Sequence, residues 1–293
     1  MKHLIDKANI LCEALPYINK LSGKTVIIKY GGNAMQDEGV IDSIMQDIAM
    51  LKIVGVNPLL VHGGGPEINA MLEKLNIKSS FHNGLRITDK ATMEVVQMVM
   101  GGKINKTITA KLNCLGVKAI GLTGKDAHLI GVKKKPPVDG VDLGFVGDIV
   151  SINDKLLKML CEDEFIPVIA GIGEDELGQS YNINADIVAA EIAAALKAEK
   201  LLYLTDIDGI RRKADDPSTL ISEISVKEIN RLIKDGTITG GMIPKVMGCV
   251  KGIEMGINRV HIVSGTVRHP ILLEIFTDTG IGTMISAAAR AIK

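Results

Sequence analysis

Apolar segments that end at glycine and lead into a helix-forming segment recur along the chain. Residues 25–30 end at Gly31 and Gly32, and residues 58–61 end at His62 and three glycines before Pro66. Proline favours the first position of a helix. The alternation predicts an α/β fold with three αβα layers around an open, mainly parallel sheet. Further strands are predicted over 117–122, 165–170, 200–205 and 259–263, and helices over 38–54, 88–115, 153–164, 186–198 and 226–234.

Two segments depart from this alternation. Residues 124–147 carry glycines, prolines and short alternating runs, which predict antiparallel hairpins appended to the sheet. Residues 171–180 are polar and rich in glycine, so a boundary between two lobes is predicted there. The predicted division is an N-terminal helix over 1–22, a first lobe over 23–180 and a second lobe over 181–293.

The first twenty residues carry an apolar stripe whose members follow one another at steps of four and three. This spacing predicts one face of an amphipathic helix. Two interpretations stay open: the helix docks on the core of its own subunit, or it packs against another subunit. Pro16 is expected to kink the helix or to end its regular part. The stripe consists of Leu4, Ala8, Leu11, Leu15 and Ile18.

Charge and cysteine content argue against several classes of protein. The chain has 34 basic and 34 acidic residues, so no net field favours a nucleic-acid or membrane partner. Its four cysteines form no CxxC pair, which disfavours zinc sites and disulfide frameworks and favours the cytoplasm. We expect no transmembrane helix and no signal peptide, because no apolar window is long enough for a span and polar residues interrupt the N-terminus.

Lys29 and the glycine turns fall where two predicted parallel strands end. Open α/β sheets bind ligands outside the carboxyl ends of their strands, and consecutive glycines let backbone N–H groups approach a phosphate. A tight turn alone explains one such sequence, but two at the same edge, one beside a lysine, favour an anion site. The chain lacks Walker A and G-x-G-x-x-G sequences, which disfavours a nicotinamide oxidoreductase. For His62, a structural hydrogen bond in the turn is preferred to a catalytic role.

Three polar segments follow later in the chain. Residues 181–186 precede a predicted helix, and helix capping explains Asn184 but not its polar neighbours. Residues 205–209 form either a simple turn or a rim that contacts ribose or a metal. Lys245 falls in the first turn of a predicted helix, where the helix dipole disfavours a cation. An anion bound there would offset this cost.

Together these segments resemble the amino acid kinase family, over nearly the whole chain. The resemblance implies transfer of the γ-phosphate of ATP to the side-chain carboxylate of N-acetyl-L-glutamate, with Mg²⁺ bridging the β- and γ-phosphates. It also implies that the first lobe binds the amino acid and dimerises, and that the second lobe binds ATP. The matching segments are KYGGNAM (29–35), VHGGGPEI (61–68), GLRITD (84–89), VDLGFVGDI (141–149), NINAD (182–186), LTDIDGI (204–210) and GGMIPKV (240–246).

The resemblance implies a role for each matching residue. Lys29 and Lys245 would neutralise charge on the transferring phosphoryl group, and Asp186 would pair with both lysines. Arg86 would hold the α-carboxylate in a bidentate pair; without the resemblance, a surface ion pair would be the simpler interpretation. The implied acid site is Gly64, Gly65, Arg86 and Asn182, and the implied ATP site is Gly31, Gly32, Thr205, Asp206, Asp208, Gly209, Ile210, Thr237, Ile238 and Thr239.

The N-terminal helix and the C-terminal segment resemble the arginine-inhibited, hexameric branch of the family. This resemblance implies a trimer of dimers joined by interlacing helices, with arginine bound near Lys200, Glu274 and Gly282. Two alternatives stay open: a sibling kinase that acts on another acid or on carbamate, and a non-catalytic nucleotide or arginine sensor. The presence of both Lys29 and Lys245 disfavours the sensor, because a sensor has no transition state to stabilise.

Overall fold

A mostly parallel sheet lies at the centre of the chain. The computed structural model describes residues 1–31 and 37–288, with the backbone alone for Lys7 and Ala8. Within these residues the strands are β1 (Thr25–Tyr30), β2 (Asn57–His62), β3 (Phe81–His82), β4 (Leu85–Arg86), β5 (Lys118–Leu122), β6 (Ile130–Lys134), β7 (Gly147–Ile152), β8 (Phe165–Ala170), β9 (Ile172–Glu174), β10 (Ser180–Asn182), β11 (Lys200–Thr205), β12 (Glu223–Ser225), β13 (Val260–Ser264) and β14 (Thr283–Ser286).

Helices connect most of the strands. In the described part they are α1 (Lys2–Leu21), α2 (Glu38–Ile53), α3 (Gly65–Lys74), α4 (Lys90–Val96), α5 (Asn105–Cys114), α6 (Asp154–Glu162), α7 (Ala185–Ala195), α8 (Val226–Lys234), α9 (Met242–Glu254) and α10 (Pro270–Ile275). A π-helical segment, Gln97–Ile104, joins α4 to α5. The single helix predicted over 88–115 is therefore three consecutive helical segments.

The main sheet has the strand order β12-β14-β13-β11-β1-β2-β8-β5. Every neighbouring pair is parallel except β13 and β14. Consecutive residues of β1 face opposite cores: Ile28 packs with α2 and α5 on one face, and Ile27 packs with α7 and α9 on the other. Because both faces are covered, the strands are apolar throughout. The predicted three-layer αβα fold with a mainly parallel sheet is confirmed.

A smaller sheet has the order β10-β9-β6-β7. The pairing of β6 with β7 is antiparallel, as predicted from residue 124 onward. The second strand begins only at Gly147, however, and the pair belongs to this separate sheet rather than to the main one. Residues 171–180, in contrast, form no linker: β9 and β10 pair antiparallel around a turn in which Asp175 accepts N–H groups from Leu177 and Gln179. The predicted boundary after residue 180 thus falls inside β10. Local polarity marked a hairpin turn, since β-turns and linkers have similar compositions.

The N-terminal helix α1 exposes most of its apolar stripe. The side chains of Leu4, Leu11 and Leu15 are exposed by 62%, 66% and 51%. The helix continues through Pro16 to Leu21, which is buried, so the proline does not end it. Docking of the stripe on its own subunit is therefore wrong for these three leucines. The side chain of Ala8 lies outside the described residues. None of the helices described is long and apolar enough to cross a membrane.

Candidate active site

Lys29 and Asp186 meet where β1 and α7 converge. Lys29 lies near the end of β1, which is parallel to β11 and therefore opens at the same edge of the sheet. Its Nζ lies 2.9 Å from Oδ1 of Asp186. Asn184 caps α7 by accepting the N–H of Asp186, which confirms its predicted capping role. The cap fixes the start of the helix and so places the Asp186 carboxylate beside the lysine.

Lys245 lies in the first turn of α9, as predicted, but its partner differs from the expected one. Its Nζ lies 3.0 Å from Oδ1 of Asp206 and 3.2 Å from Oγ1 of Thr205. The ion pair with Lys245 lowers the pKa of Asp206. The expectation that Asp186 pairs with both lysines is therefore wrong in this structure. Asp206 follows β11 directly, so it reaches Lys245, whereas Asp186 is engaged by Lys29.

A pocket of about 300 Å³ collects both lysines. Gly31 and Asp186 also line it, together with Thr205 and Asp206 from the end of β11. Tyr203 donates from its hydroxyl to the Asp186 carbonyl at 3.2 Å, and burial raises the pKa of this phenol well above its ordinary value. The pocket therefore presents two cations beside open space that is more than large enough for a phosphoryl group. Gly32 lies outside the described residues.

A second cavity of about 280 Å³ adjoins this pocket through Lys29, Gly31 and Asp186. All four residues of the predicted acid site line it: Gly64, Gly65, Arg86 and Asn182. Arg86 is buried, and its guanidinium donates to Ser79 Oγ and, at 3.4 Å, to the Gly65 carbonyl. Burial lowers the pKa of Arg86. A buried guanidinium that faces a cavity suits a carboxylate ligand better than the surface ion pair considered above.

Phe81 contacts the guanidinium of Arg86, and Thr88 contacts its backbone. The Phe81 ring lies 4.6 Å from the guanidinium carbon, in a cation–π contact. Thr88 accepts from Asn182 Nδ2 at 3.3 Å and donates to the Arg86 carbonyl at 2.8 Å. Arg86 and Asn182 are thus joined through Thr88. Sequence reasoning missed Ser79, Phe81 and Thr88; the signal available was the aromatic residue five positions before the arginine, at the start of a short hairpin.

A third cavity of about 620 Å³ lies beyond Asp206. Arg211 pairs with Asp208 at 2.6 Å and donates to the Ala214 carbonyl, which fixes the loop after β11. Sequence reasoning missed Arg211 as well. The cavity is large enough for a nucleoside. It gathers these predicted ATP-site residues: Asp206, Asp208, Gly209, Ile210, Thr237, Ile238 and Thr239. Thr205 and Gly31 line the adjoining pocket that contains Lys29 and Lys245, which is called the phosphate pocket below.

The residues predicted for an arginine site lie in a fourth place, next to α1. Lys200 and Glu274 line a cavity of about 180 Å³. Nε2 of His261 lies 3.0 Å from Lys200 Nζ, and its Nδ1 lies 2.7 Å from Glu274. Burial lowers the pKa of Lys200 to about 8. Gly282 is not among the residues that line the cavity, but its N–H donates to Glu274 at 2.8 Å.

No group of three or more His, Cys, Asp or Glu side chains that could hold a metal ion occurs within residues 1–31 and 37–288. The carboxylates nearest the phosphate pocket are Asp186 and Asp206, each already paired with a lysine. This arrangement fits a cation that arrives bound to phosphate oxygens better than a cation held by a protein cage.

Curated relatives match the chain almost from end to end. The model of the amino acid kinase family matches residues 24–264. Acetylglutamate kinase from Caldicellulosiruptor saccharolyticus is 57% identical over 288 residues, which cover 97% of this chain and 98% of the relative. Acetylglutamate kinase from Geobacter sulfurreducens is 52% identical over 293 residues, with 97% and 99% of the two chains covered.

Solved structures share the fold. N-acetylglutamate synthase from Neisseria gonorrhoeae, complexed with coenzyme A and N-acetyl-glutamate, superposes with a TM-score of 0.85 at 26% identity. The match covers 96% of this chain but 64% of the synthase, so part of that protein has no counterpart here. Carbamate kinase from Giardia lamblia bound to AMP-PNP has a TM-score of 0.66 at 19% identity, over 91% and 99% of the two chains. The second likeness concerns the fold alone.

Proposed function

Because this chain belongs to the amino acid kinase family, we propose that it phosphorylates the side-chain carboxylate of N-acetyl-L-glutamate with ATP. The products are N-acetyl-L-glutamyl 5-phosphate and ADP. The names of relatives that are more than half identical over nearly the full length support this substrate. The observation that carries the proposal is the continuity of three cavities. The phosphate pocket, with Lys29, Asp186 and Lys245, lies between the cavity lined by Arg86 and Asn182, here the acid cavity, and the cavity formed by residues 206–210 and 237–239, here the nucleotide cavity.

The reaction needs no general base. The attacking group is an existing carboxylate, whose oxygen forms a bond to the γ-phosphorus while the bond to the β–γ bridging oxygen breaks and ADP leaves. Catalysis then depends on positioning the two reactants in line and on stabilising charge on the phosphoryl oxygens. Lys29 and Lys245 supply that charge from the walls of one pocket. Asp186 and Asp206 each hold one lysine in place.

The acid binds through Arg86 and Asn182. The guanidinium of Arg86 pairs with the α-carboxylate through its remaining N–H groups, and its contacts with Phe81, Ser79 and the Gly65 carbonyl fix its plane. The backbone of Gly65 can approach the ligand closely, since a Cβ there would stand in open space, whereas Gly64 has no room for a Cβ against Ile104. The acyl chain then extends toward Lys29, which borders both the acid cavity and the phosphate pocket.

ATP binds with its base and ribose in the cavity formed by residues 206–210 and 237–239 and with its triphosphate toward Lys245. Mg²⁺ would enter together with ATP and would neutralise phosphate charge. Backbone N–H groups of Gly31 and Gly64 contact phosphate oxygens.

Arginine acts as an inhibitor at the cavity between α1 and the C-terminal segment. The residues that line the cavity include two acids, Glu274 and Asp278, and two bases, Lys200 and Arg259. Such walls suit a ligand that has a carboxylate and a guanidinium. The exposed leucines of α1 support its interlacing with a second copy of the helix, in a hexamer built as a trimer of dimers.

A hydroxamate assay tests the proposed reaction, because hydroxylamine traps acyl phosphates. We expect product with N-acetyl-L-glutamate and ATP, and little with L-glutamate, L-aspartate or carbamate, for which ADP release is also measured. If the protein turns over one of the other acids faster, it is a sibling kinase with that acid as its substrate. Binding of nucleotide without turnover of any acid would favour the sensor.

A further inference from the structure

His62 and Asn105 form a buried polar pair beneath the glycine turn of residues 63–65. Neither side chain has any exposed surface. Nε2 of His62 lies 3.1 Å from Nδ2 of Asn105, and Nδ1 of His62 lies 2.9 Å from the Gly63 carbonyl oxygen. Burying two polar side chains costs free energy unless their hydrogen bonds are made, and neither residue contacts the cavities through its own side chain in the proposed reaction.

The surroundings of Asn105 determine which nitrogen of His62 carries the proton. Asn105 Nδ2 lies 2.9 Å from the Val168 carbonyl and 3.2 Å from the Leu122 carbonyl. Two carbonyl oxygens require the amide nitrogen on this side, and its two N–H groups then serve three acceptors, the two carbonyls and Nε2 of His62, so that one N–H is shared. The imidazole proton is then on Nδ1 and is donated to the Gly63 carbonyl. Burial lowers the pKa of His62 to about 4, so the ring is neutral at physiological pH.

Asn105 ties the glycine turn to three strands. Leu122 ends β5, Val168 lies in β8, and His62 ends β2. Asn105 itself stands directly after the π-helical segment Gln97–Ile104. Segments of π-helix are rare and frequently occur at functional sites. The amide oxygen of Asn105 has no hydrogen-bond partner within the described part of the chain. Burying Asn105 in this position therefore lowers the stability of the fold.

The π-helical segment also supports the turn from below. A Cβ at Gly64 would lie 2.6 Å from Ile104 Cδ1 and 3.0 Å from Met100 Cγ. The Gly63 N–H donates to the Tyr30 carbonyl at 3.1 Å. The turn is therefore packed against the helix, bonded to β1 and bonded to His62. The charged side chains on the flanking elements, Lys29 and Lys106, are engaged by Asp186 and by the Gly121 carbonyl.

We propose that His62 and Asn105 are positioning residues: Asn105 keeps the His62 proton on Nδ1, and His62 thereby fixes the Gly63 peptide and the N–H groups of the turn. The inference rests on the proposed function, because residues 63–65 line the acid cavity. Loss of the Nδ1 donor should disturb the acid cavity. The nucleotide cavity, which contains none of these residues, should be unaffected.

Two substitutions at His62 separate its two nitrogens. The amide of asparagine reaches the position of Nδ1, whereas the amide of glutamine reaches the position of Nε2. His62→Gln should raise the KM for N-acetyl-L-glutamate about tenfold, the equivalent of about one hydrogen bond, with the KM for ATP unchanged. His62→Asn keeps a donor for Gly63 and should raise the KM for the acid less.

Asn105→Asp gives a readout that a purely structural role would not produce. A carboxylate accepts from Nε2 and raises the pKa of His62. The protonated ring keeps both bonds, but the neutral ring has one N–H for two acceptors. The KM for the acid should therefore rise as the pH increases through the new pKa of His62. In the unsubstituted protein this KM should stay constant above about pH 5, because His62 is already neutral.

Ile108→Val is the matched structural control, since Ile108 is buried on the same helix as Asn105. It should lower the melting temperature without changing either KM. If the variants do not fold, ¹⁵N-histidine NMR of the unsubstituted protein tests the tautomer directly. We expect the His62 signal to be that of a neutral ring protonated on Nδ1 from pH 5 to 9. A proton on Nε2, or equal changes in both KM values in folded variants, would overturn the proposal. Turnover of N-acetyl-L-glutamate by the unsubstituted protein tests the proposed function separately.

Discussion

Lys29 and Asp186 form a 2.9 Å ion pair that joins the end of β1 to the first turn of α7. The carboxylate lies at the positive end of a helix dipole and has the lysine as its partner, and both interactions hold it in place. The lysine is thereby held at the border of the acid cavity and the phosphate pocket before substrates bind. Preorganised charge of this kind is the main source of catalysis expected here.

Removing either lysine should slow turnover much more than it weakens binding. Lys29→Ala and Lys245→Ala should lower kcat by at least about a hundredfold, the scale for one transition-state stabilising group, with modest changes in KM. Lys251→Ala, an exposed lysine on the same helix as Lys245, is the control. Steady-state kinetics of all three variants provide the test. Near-normal turnover in both site variants would refute the assigned roles.

Arg86→Lys should weaken binding of the acid selectively. The substitution retains the charge but loses the planar fork and its stacking on Phe81. The KM for N-acetyl-L-glutamate should rise much more than the KM for ATP. Arg231→Lys, at a surface arginine that pairs with Glu228, should change neither. If ATP binding alone is weakened, the acid site has been placed in the wrong cavity.

Asp206 should be coupled to Lys245 more strongly than Asp186 is. Asp206→Asn removes the carboxylate that holds Lys245 and should lower kcat by about tenfold or more. A double-mutant cycle with Lys245→Met should show a coupling free energy for Asp206 that exceeds the one for Asp186. A larger coupling between Lys245 and Asp186 would restore the pairing that the family resemblance implied.

Two buried histidines should make the fold sensitive to acid. Burial lowers the pKa of His62 and of His261 from 6.5 to about 4. The unfolded chain therefore binds protons first as the pH falls, so stability is complete above about pH 6.5 and is lost progressively toward pH 4. Each histidine should contribute about 1.4 kcal/mol per pH unit in that window. Urea unfolding at several pH values tests this expectation. His261→Asn should reduce the slope relative to the unsubstituted protein; equal slopes in the two proteins would contradict the expectation.

Deleting residues 1–20 should separate assembly from catalysis. The exposed leucines of α1 contribute little to the core of their own subunit, and the phosphate pocket contains no residue of this helix. If the proposed hexamer forms through α1, the truncated protein should form active dimers instead. Arginine should also inhibit it less, because Tyr17 lines the cavity proposed for arginine. Sedimentation gives the oligomeric state of both proteins, and activity measured across an arginine titration gives their inhibition. A truncated protein that remains hexameric and arginine-sensitive would exclude the interlacing role, and one that fails to fold would show that α1 is part of the core.

Local sequence was sufficient for the strands that are buried on both faces. The predictions for β1, β8 and β11 agree with the structure in both bounds, because a continuous apolar run flanked by turn residues has few alternatives. It was insufficient for residues 97–104, where the side-chain pattern of a π-helix hardly differs from that of an α-helix. It was also insufficient for residues 171–180, where the composition of a hairpin turn resembled that of a linker.

The sequence by itself determined the layered fold, through apolar periodicity, and it marked the two lysines by their places beside a glycine turn and in the first turn of a helix. The predicted acid-site residues Gly64, Gly65, Arg86 and Asn182 came from the resemblance of short segments to the family. Tertiary structure decided the pairings. Lys245 has Asp206 rather than Asp186 as its partner, and Asn105 lies against His62 across 43 positions of sequence. Such contacts depend on which strands become neighbours in the sheet and on the direction in which each side chain leaves the backbone. Neither property is encoded in a local pattern, because both arise when distant segments pack together.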